Sequence, residues 1–301
     1  MSPVQEKTSI TRKGPGARQL VEKIMNMIFL ICGLASILFV VAITLYMLIS
    51  GLPAIREVGL WNFLAGTVWA PTASDPSYGI LPMILASVIG TLGASAIGVP
   101  VGVLTAVFIC YMAPRRLLPF LTATVELLAG IPSVVFGLVG MILLSPMIAR
   151  IFDLSSGATL LTAILVLAVM ILPTIVSVTI TSLRAVPEEY VHGSLALGGT
   201  ETTTIFKMNI PAAKSGIVTG IVLGIGRAIG ETMAIIMVSG NVPNMPNLFG
   251  SVRFLTTGIV SEMNYASGTH REALFSIGLV LFIFIFLINL TLNRILKKQP
   301  Q

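Results

Sequence analysis

Three ionisable side chains, Glu126, Arg227 and Glu231, stand inside long apolar runs of a chain that is otherwise poor in charge. A charge near a bilayer centre costs about 2.5–3.5 kcal/mol even on the lenient insertion scale, so each needs a partner or a task. A guanidinium presents its donors as a fork that fits phosphate or carboxylate oxygens. Arg227 therefore reads as a contact for an anionic substrate, with Glu231 as its counter-ion when the site is empty. The two are four residues apart, so a continuous helix puts them on one face. Arg before Glu is the less favourable order for a simple stabilising pair. The competing reading is a structural ion pair that locks helices together. Glu126 falls in the cytoplasmic third of its run, where it can snorkel, pair with a neighbouring helix or touch substrate.

The elements that carry these groups follow from composition. The 301 residues are 55% hydrophobic and 10% charged, with net charge +6. A soluble domain carries roughly 25% charged residues, so this chain cannot cover a globule with a polar skin. The apolar segments are continuous rather than alternating, which excludes an outer-membrane barrel. The expected fold is all-α and polytopic. Apolar runs at about 24–50, 80–112, 118–148, 158–182, 214–240 and 273–296 are each long enough for the roughly 20 helical residues of one span. Pro100 predicts a kink, tilt or extension in the long second run. Residues 1–23 read as a basic cytoplasmic tail, 24–50 as a retained anchor helix and 51–79 as an external segment. Residues 80–296 read as the main membrane domain, with a cytoplasmic loop at 183–213, and 297–301 as a second tail.

Of the 18 basic residues, 13 fall in the segments on the side of the N-terminus and four on the other, with Arg227 inside a run. The positive-inside rule then places both termini in the cytoplasm. That bias accounts for the basic balance without nucleic acid. Trp61, Trp69 and Tyr78 suit an interfacial aromatic belt. Residues 241–272 read as the longest external loop. Cys32 and Cys110 read as apolar packing residues rather than a disulfide or ligand pair.

The fifth run carries two stripes of small residues. Gly216, Gly220, Gly224 and Ala228 form one, and Gly226, Gly230 and Ala234 the other. Small residues spaced by four allow close helix contact, so this helix is expected inside the protein, with its charges facing a cavity. The cytoplasmic loop reads as two short helices. Pro187 with Glu188 and Glu189 starts the first, and Gly198-Gly199 stops it. Thr200-Glu201 starts the second, which ends at Asn209-Ile210-Pro211. Leu195, Leu197, Phe206 and Ile210 make this loop more apolar than a solvated connector, as a partner surface is. The alternative is a hairpin packed on its own bundle.

Two motifs carry a resemblance. Ser194-Leu195-Ala196-Leu197-Gly198, followed by Ile205-Phe206-Lys207-Met208-Asn209-Ile210-Pro211, resembles the EAA loop of bacterial ABC-importer permeases. Gly198 and Pro211 stand at that family's glycine and proline positions. His192 stands where glutamate is usual, and Gly193 where alanine is usual. Gly226-Arg227-Ala228-Ile229-Gly230-Glu231-Thr232-Met233-Ala234 is similar to a signature of phosphate-importer permeases. The run from Glu126 through Gly130-Ile131-Pro132-Ser133 to Gly137 resembles their third-span signature. Phe63 to Pro71 is closer to the PstC-type than to the PstA-type subunit.

The resemblance implies a type-1 importer fold and the import of inorganic phosphate. It implies a second, PstA-like permease, a dimeric ATPase gripping residues 192–198, Phe206, Ile210 and Pro211, and an extracytoplasmic phosphate-binding protein. Arg227, Glu231 and Glu126 would line the path, and Gly220, Gly224, Gly226 and Gly230 would pack helices. No cofactor is implied. The chain has no Gly-x4-Gly-Lys-Ser/Thr loop and no His-Glu-x-x-His site, so ATP chemistry falls to a partner. His192 and His270 lie in loops on opposite sides and cannot form one catalytic centre. The competing classes are a self-sufficient carrier driven by an ion gradient, an intramembrane enzyme or sensor, and a permease for sulfate or molybdate. The lack of a nucleophile–base pair or metal ligands disfavours the second of these.

Overall fold

The computed structural model describes residues 17–297. Residues 1–16 of the expected N-terminal tail lie outside the described residues, and 17–23 already belong to a helix. Of the expected tail at 297–301 only Lys297 is described, as a helix end. Two compact units divide at Ile49–Ser50.

The first unit contains most of α1 (Ala17–Val58), which starts before and ends after the expected anchor 24–50. Its apolar window has a mean hydropathy of 2.9 and buries none of its residues within the chain. A helix apolar on every side needs lipid or protein around it. Its hydroxyls turn back to the backbone instead of standing bare. Ser36 Oγ donates to the Cys32 carbonyl and Thr44 Oγ1 to that of Val40, each at 2.8 Å.

The second unit holds the end of α1, α2 (Leu60–Ala65) and an antiparallel hairpin of β1 (Trp69–Ala70) and β2 (Ser77–Tyr78), in which Trp69 faces Tyr78. Next comes α3 (Leu81–Val107), which runs through Pro100 and closes in a π turn at Phe108–Met112. The third apolar run is two helices, α4 (Leu118–Gly130) and α5 (Ser133–Val139), the latter extended by a π turn into α6 (Ser145–Ile151). The fourth is α7 (Leu160–Arg184). Short helices α8 (Glu188–Ala196), α9 (Glu201–Thr204) and α10 (Ile210–Ala212) precede α11 (Lys214–Gly230) and α12 (Met233–Val238). The segment expected as a plain loop at 241–272 contains α13 (Leu255–Glu262), and α14 (Gly268–Lys297) ends the unit. Among the described residues five helices are long and apolar enough to cross a membrane, or six if the bent pair Glu201–Ala212 and Lys214–Gly230 is one span.

α7 is the packing axis. Leu160, Leu167, Met170, Ile171 and Ile175 are almost fully buried. A Cβ on Gly93 would lie 2.7 Å from Ile164 Cδ1, and one on Gly102 2.9 Å from Ile175 Cγ2, so α3 runs parallel to α7. α11 runs antiparallel to it. A Cβ on Gly220 would lie 3.1 Å from Val178 Cβ, and one on Gly224 2.8 Å from Ile175 Cγ1. In lipid, where chain and solvent are equally apolar, such close packing is what holds helices together.

Gly216, Gly220 and Gly224 of the first small-residue stripe face α7. Of the second, Ala234 is buried, while a Cβ on Gly226 or Gly230 would meet nothing within 4 Å. The step of two residues from Gly224 to Gly226 turns the helix by about 200°, which puts Gly226 on the face away from α7. Overpacking costs about 1–3 kcal/mol, so Gly224→Val should lower the detergent melting temperature by several degrees while Gly226→Ala leaves it unchanged. Circular dichroism or tryptophan fluorescence against temperature checks this.

Candidate functional site

Both signature segments are broken helices. α11 stops at Gly230; Glu231 is extended (φ −69°, ψ 130°), and α12 starts two residues later. α4 stops at Gly130; Ile131 (φ −70°, ψ 126°) and Pro132 are extended before α5. Proline explains the second break, because the residue before it is pushed out of the helical region. The first has no such local cause and is held from outside: Thr256 Oγ1 donates to the Glu231 carbonyl at 2.9 Å.

The two breaks are neighbours. A Cβ on Gly137 would lie 2.7 Å from Ala234 Cα, and one on Gly140 2.9 Å from Val238 Cγ1. α5 and α12 thus lie side by side and parallel, and their N-termini emerge together from the breaks. Each helix start leaves backbone N–H groups without helical partners and carries a partial positive charge.

Arg227 sits half-buried in the last turn of α11. Its Nη1 donates to Thr174 Oγ1 on α7 at 3.5 Å, at the outer limit of a hydrogen bond. The expected pairing with Glu231 is absent among the described residues. The reason is the break itself: the i,i+4 geometry needs a helix that continues past Gly230. Glu231 instead turns to α12, where its Oε1 accepts from the Ala234 N–H at 3.1 Å. A carboxylate at a helix start satisfies an orphan donor and offsets the dipole.

Glu126 is exposed on α4, a helix with no buried residue, and it has no ion pair or hydrogen bond among the described residues. Thr174 was not legible as a site residue; a threonine after Pro173 in an apolar run gives no signal. The break at Ile131-Pro132 was legible in principle, because an X-Pro step inside an apolar run marks a helix boundary.

The segment 183–213 lies at the end of the unit away from both breaks. α8 begins behind Pro187 as expected and has no buried residue. Gly198 adopts φ +83°, the left-handed conformation that stops a helix. Thr200 Oγ1 accepts from the Thr203 N–H at 3.2 Å and starts α9. A π turn at Ile205–Asn209 joins α9 to α10. Leu197 is 92% exposed, and Leu195, Phe206, His192, Gly193, Ala196 and Pro211 are also exposed; Ile210 is half-buried. Ser194 Oγ and Thr204 Oγ1, 2.8 Å apart, hold α8 to α9.

At the opposite end Glu262 is buried at the end of α13. Trp69, Arg253 and His270 converge on its carboxylate. Burial first, and the Glu262 charge second, push the nearby Tyr265 hydroxyl above its ordinary pKa. Nothing in the polar 241–272 stretch announced this cluster.

The family described as "Binding-protein-dependent transport system inner membrane component" matches residues 98–299. The chain is 38% identical to the "Probable ABC transporter permease protein YqgH" of Bacillus subtilis, over 94% of this chain and 93% of that one. It is 32% identical to the "Phosphate transport system permease protein PstC" of Pasteurella multocida, over 86% and 91% of the two chains. Among solved structures it resembles a chain of a bacterial alginate ABC transporter in complex with a pentasaccharide-bound periplasmic protein. That match has a TM-score of 0.62 at 15% identity and covers 92% of this chain and 96% of the other. A chain of the MetNI methionine ABC transporter gives 0.59 at 19% identity, covering 74% and 96%. At those identities the likeness is one of fold.

Proposed function

The chain belongs to the family of binding-protein-dependent transport system inner membrane components, and from that premise we propose that it carries inorganic phosphate across the bacterial cytoplasmic membrane. Membership makes it a transport subunit of an ABC importer that works with an ATPase and a substrate-binding protein. The finer reading is a PstC-type permease that pairs with a PstA-like one, with both termini and the 183–213 loop in the cytoplasm. The loop's residues from His192 to Gly198, with Phe206, Ile210 and Pro211, form the surface that the dimeric ATPase grips.

The observation that carries the substrate reading is the pair of adjacent helix breaks beside Arg227. Discontinuous membrane helices line transporter sites, and their half-helix N-termini favour anionic groups. Arg227 adds a fork of donors of which one has a weak partner, Thr174, among the described residues. Glu231 caps α12 and does not neutralise it. A phosphate oxygen at this place meets one fixed cation and the start of α5, while the Glu231 carboxylate at the start of α12 limits how tightly it is held, enough for entry and weak enough for release. Several relatives are themselves named phosphate permeases.

The test is uptake of radiolabelled phosphate in cells lacking their own high-affinity importer and carrying this chain with its companion subunits. Uptake should need ATP and the binding protein, and a tenfold excess of sulfate or molybdate should leave it unchanged. Competition by either oxyanion at equal concentration would reassign the substrate. Uptake by the chain alone in vesicles without ATP would instead make it a self-sufficient carrier.

A further inference from the structure

Glu262 is 5% exposed at the last residue of α13, and neither signature segment uses it. Trp69 Nε1 donates to its two oxygens at 3.2 and 3.0 Å, His270 Nε2 lies 2.7 Å from one of them, and Arg253 is its ion-pair partner. Arg253 Nε also donates to the Asn241 carbonyl at 3.0 Å. The rings of Tyr78 and Tyr265 stand edge-on to Trp69 and His270 respectively. One carboxylate thereby joins four stretches: the β1–β2 hairpin, the segment before α13, α13 itself and the first turn of α14. A buried charge-assisted network acts as a unit, since the loss of one member strands the others in a low dielectric.

The other end of α13 is tied as closely. The Leu255 N–H donates to Ser87 Oγ on α3 at 3.0 Å, and Thr256 Oγ1 donates to the Glu231 carbonyl at 2.9 Å. α13 has eight residues, a rod of roughly 12 Å. Its far end is the Glu262 cluster and its near end grips the backbone where α11 breaks, four residues after Arg227.

We propose that Glu262 is a positioning residue for the break at Glu231, acting through α13 and Thr256. Glu262 fixes the far end of the rod, and the rod fixes where the Glu231 carbonyl, the start of α12 and the last turn of α11 stand. The inference rests on the reading of the break as the wet anion path. It adds that the path's geometry is set from the hairpin end of the molecule.

The test uses the complete transporter in membrane vesicles with Cys32 and Cys110 replaced by alanine. Gly230→Cys supplies a single thiol at the break, at an exposed position where a Cβ meets nothing within 4 Å. Its rate of reaction with a water-soluble maleimide is measured. Glu262→Gln, which keeps an acceptor for Trp69 and His270 but loses the charge facing Arg253, should change that rate at least threefold. Thr256→Val should do the same, and Thr256→Ser, which keeps the hydroxyl, should match the background. A reporter at Ser155→Cys, in the exposed connection between α6 and α7, should keep its rate in every variant.

An unchanged rate in Glu262→Gln or in Thr256→Val overturns the proposal, as does a shift that Ser155→Cys shares. If Glu262→Gln fails to reach the membrane, His270→Gln takes its place at the same end of the rod. The assay needs no phosphate, so a wild-type complex that fails to import phosphate sinks the substrate reading and leaves this comparison standing. A thiol at 230 that is silent in every variant counts against the wet path and takes the inference with it.

Discussion

Arg227→Gln should cut phosphate uptake at least tenfold while membrane level and association with the ATPase stay normal. Glutamine keeps much of the length and some hydrogen bonding but loses the charge and the fork. A hydrogen bond to a charged group contributes about 1.5–3 kcal/mol, or roughly ten- to over a hundredfold in an equilibrium or rate. The fold should survive, because the guanidinium is half-buried and makes one long hydrogen bond, to Thr174, among the described residues. Arg227→Lys should fall between the two, because it keeps the charge and loses the bidentate geometry. Near-normal uptake in Arg227→Gln, at matched protein level, would reduce this residue to a structural one. Glu126→Gln is the companion measurement: Glu126 is exposed on α4, so uptake unchanged within twofold would place it against a partner helix or headgroup instead of the path.

The second large effect is expected at Gly198. Its φ of +83° is the left-handed cap of α8, and a Cβ there costs about 1–2 kcal/mol before any contact is counted. Open space surrounds the position, so the cost is conformational and not steric. Gly198→Val should therefore re-aim Leu197, which is 92% exposed, and the turn into α9, while the membrane helices stay intact. Copurification of the ATPase, or ATP hydrolysis coupled to uptake, should fall about tenfold. Gly198→Asn should be milder, because asparagine tolerates this backbone region. Unchanged copurification and unchanged coupled transport in Gly198→Val would count against the loop as the gripping surface. Gly33→Ala is the control: Gly33 lies within α1, outside the loop, and a Cβ there meets nothing within 4 Å.

What is periodic and local was legible before any coordinates. The apolar runs set the membrane class, because span length depends only on helix rise and bilayer thickness. The starts and stops at Pro187, Gly198 and Thr200 stand where their backbone preferences put them. Gly216, Gly220 and Gly224 marked a packing face by spacing alone. Only the tertiary structure decided the rest. Residues 226–234 read as one continuous helix, yet the chain breaks at Glu231, where Thr256 from a distant segment replaces the lost helical hydrogen bond. That break separates Glu231 from Arg227. It also sets α12 beside α5, through Gly137 and Ala234. The Glu262 cluster gathers Trp69, Arg253 and His270 from positions up to 201 residues apart. A local pattern records the preferences of a residue's own turn. A broken helix or a buried charge is stable only when a partner far along the chain satisfies it, and spacing does not name that partner.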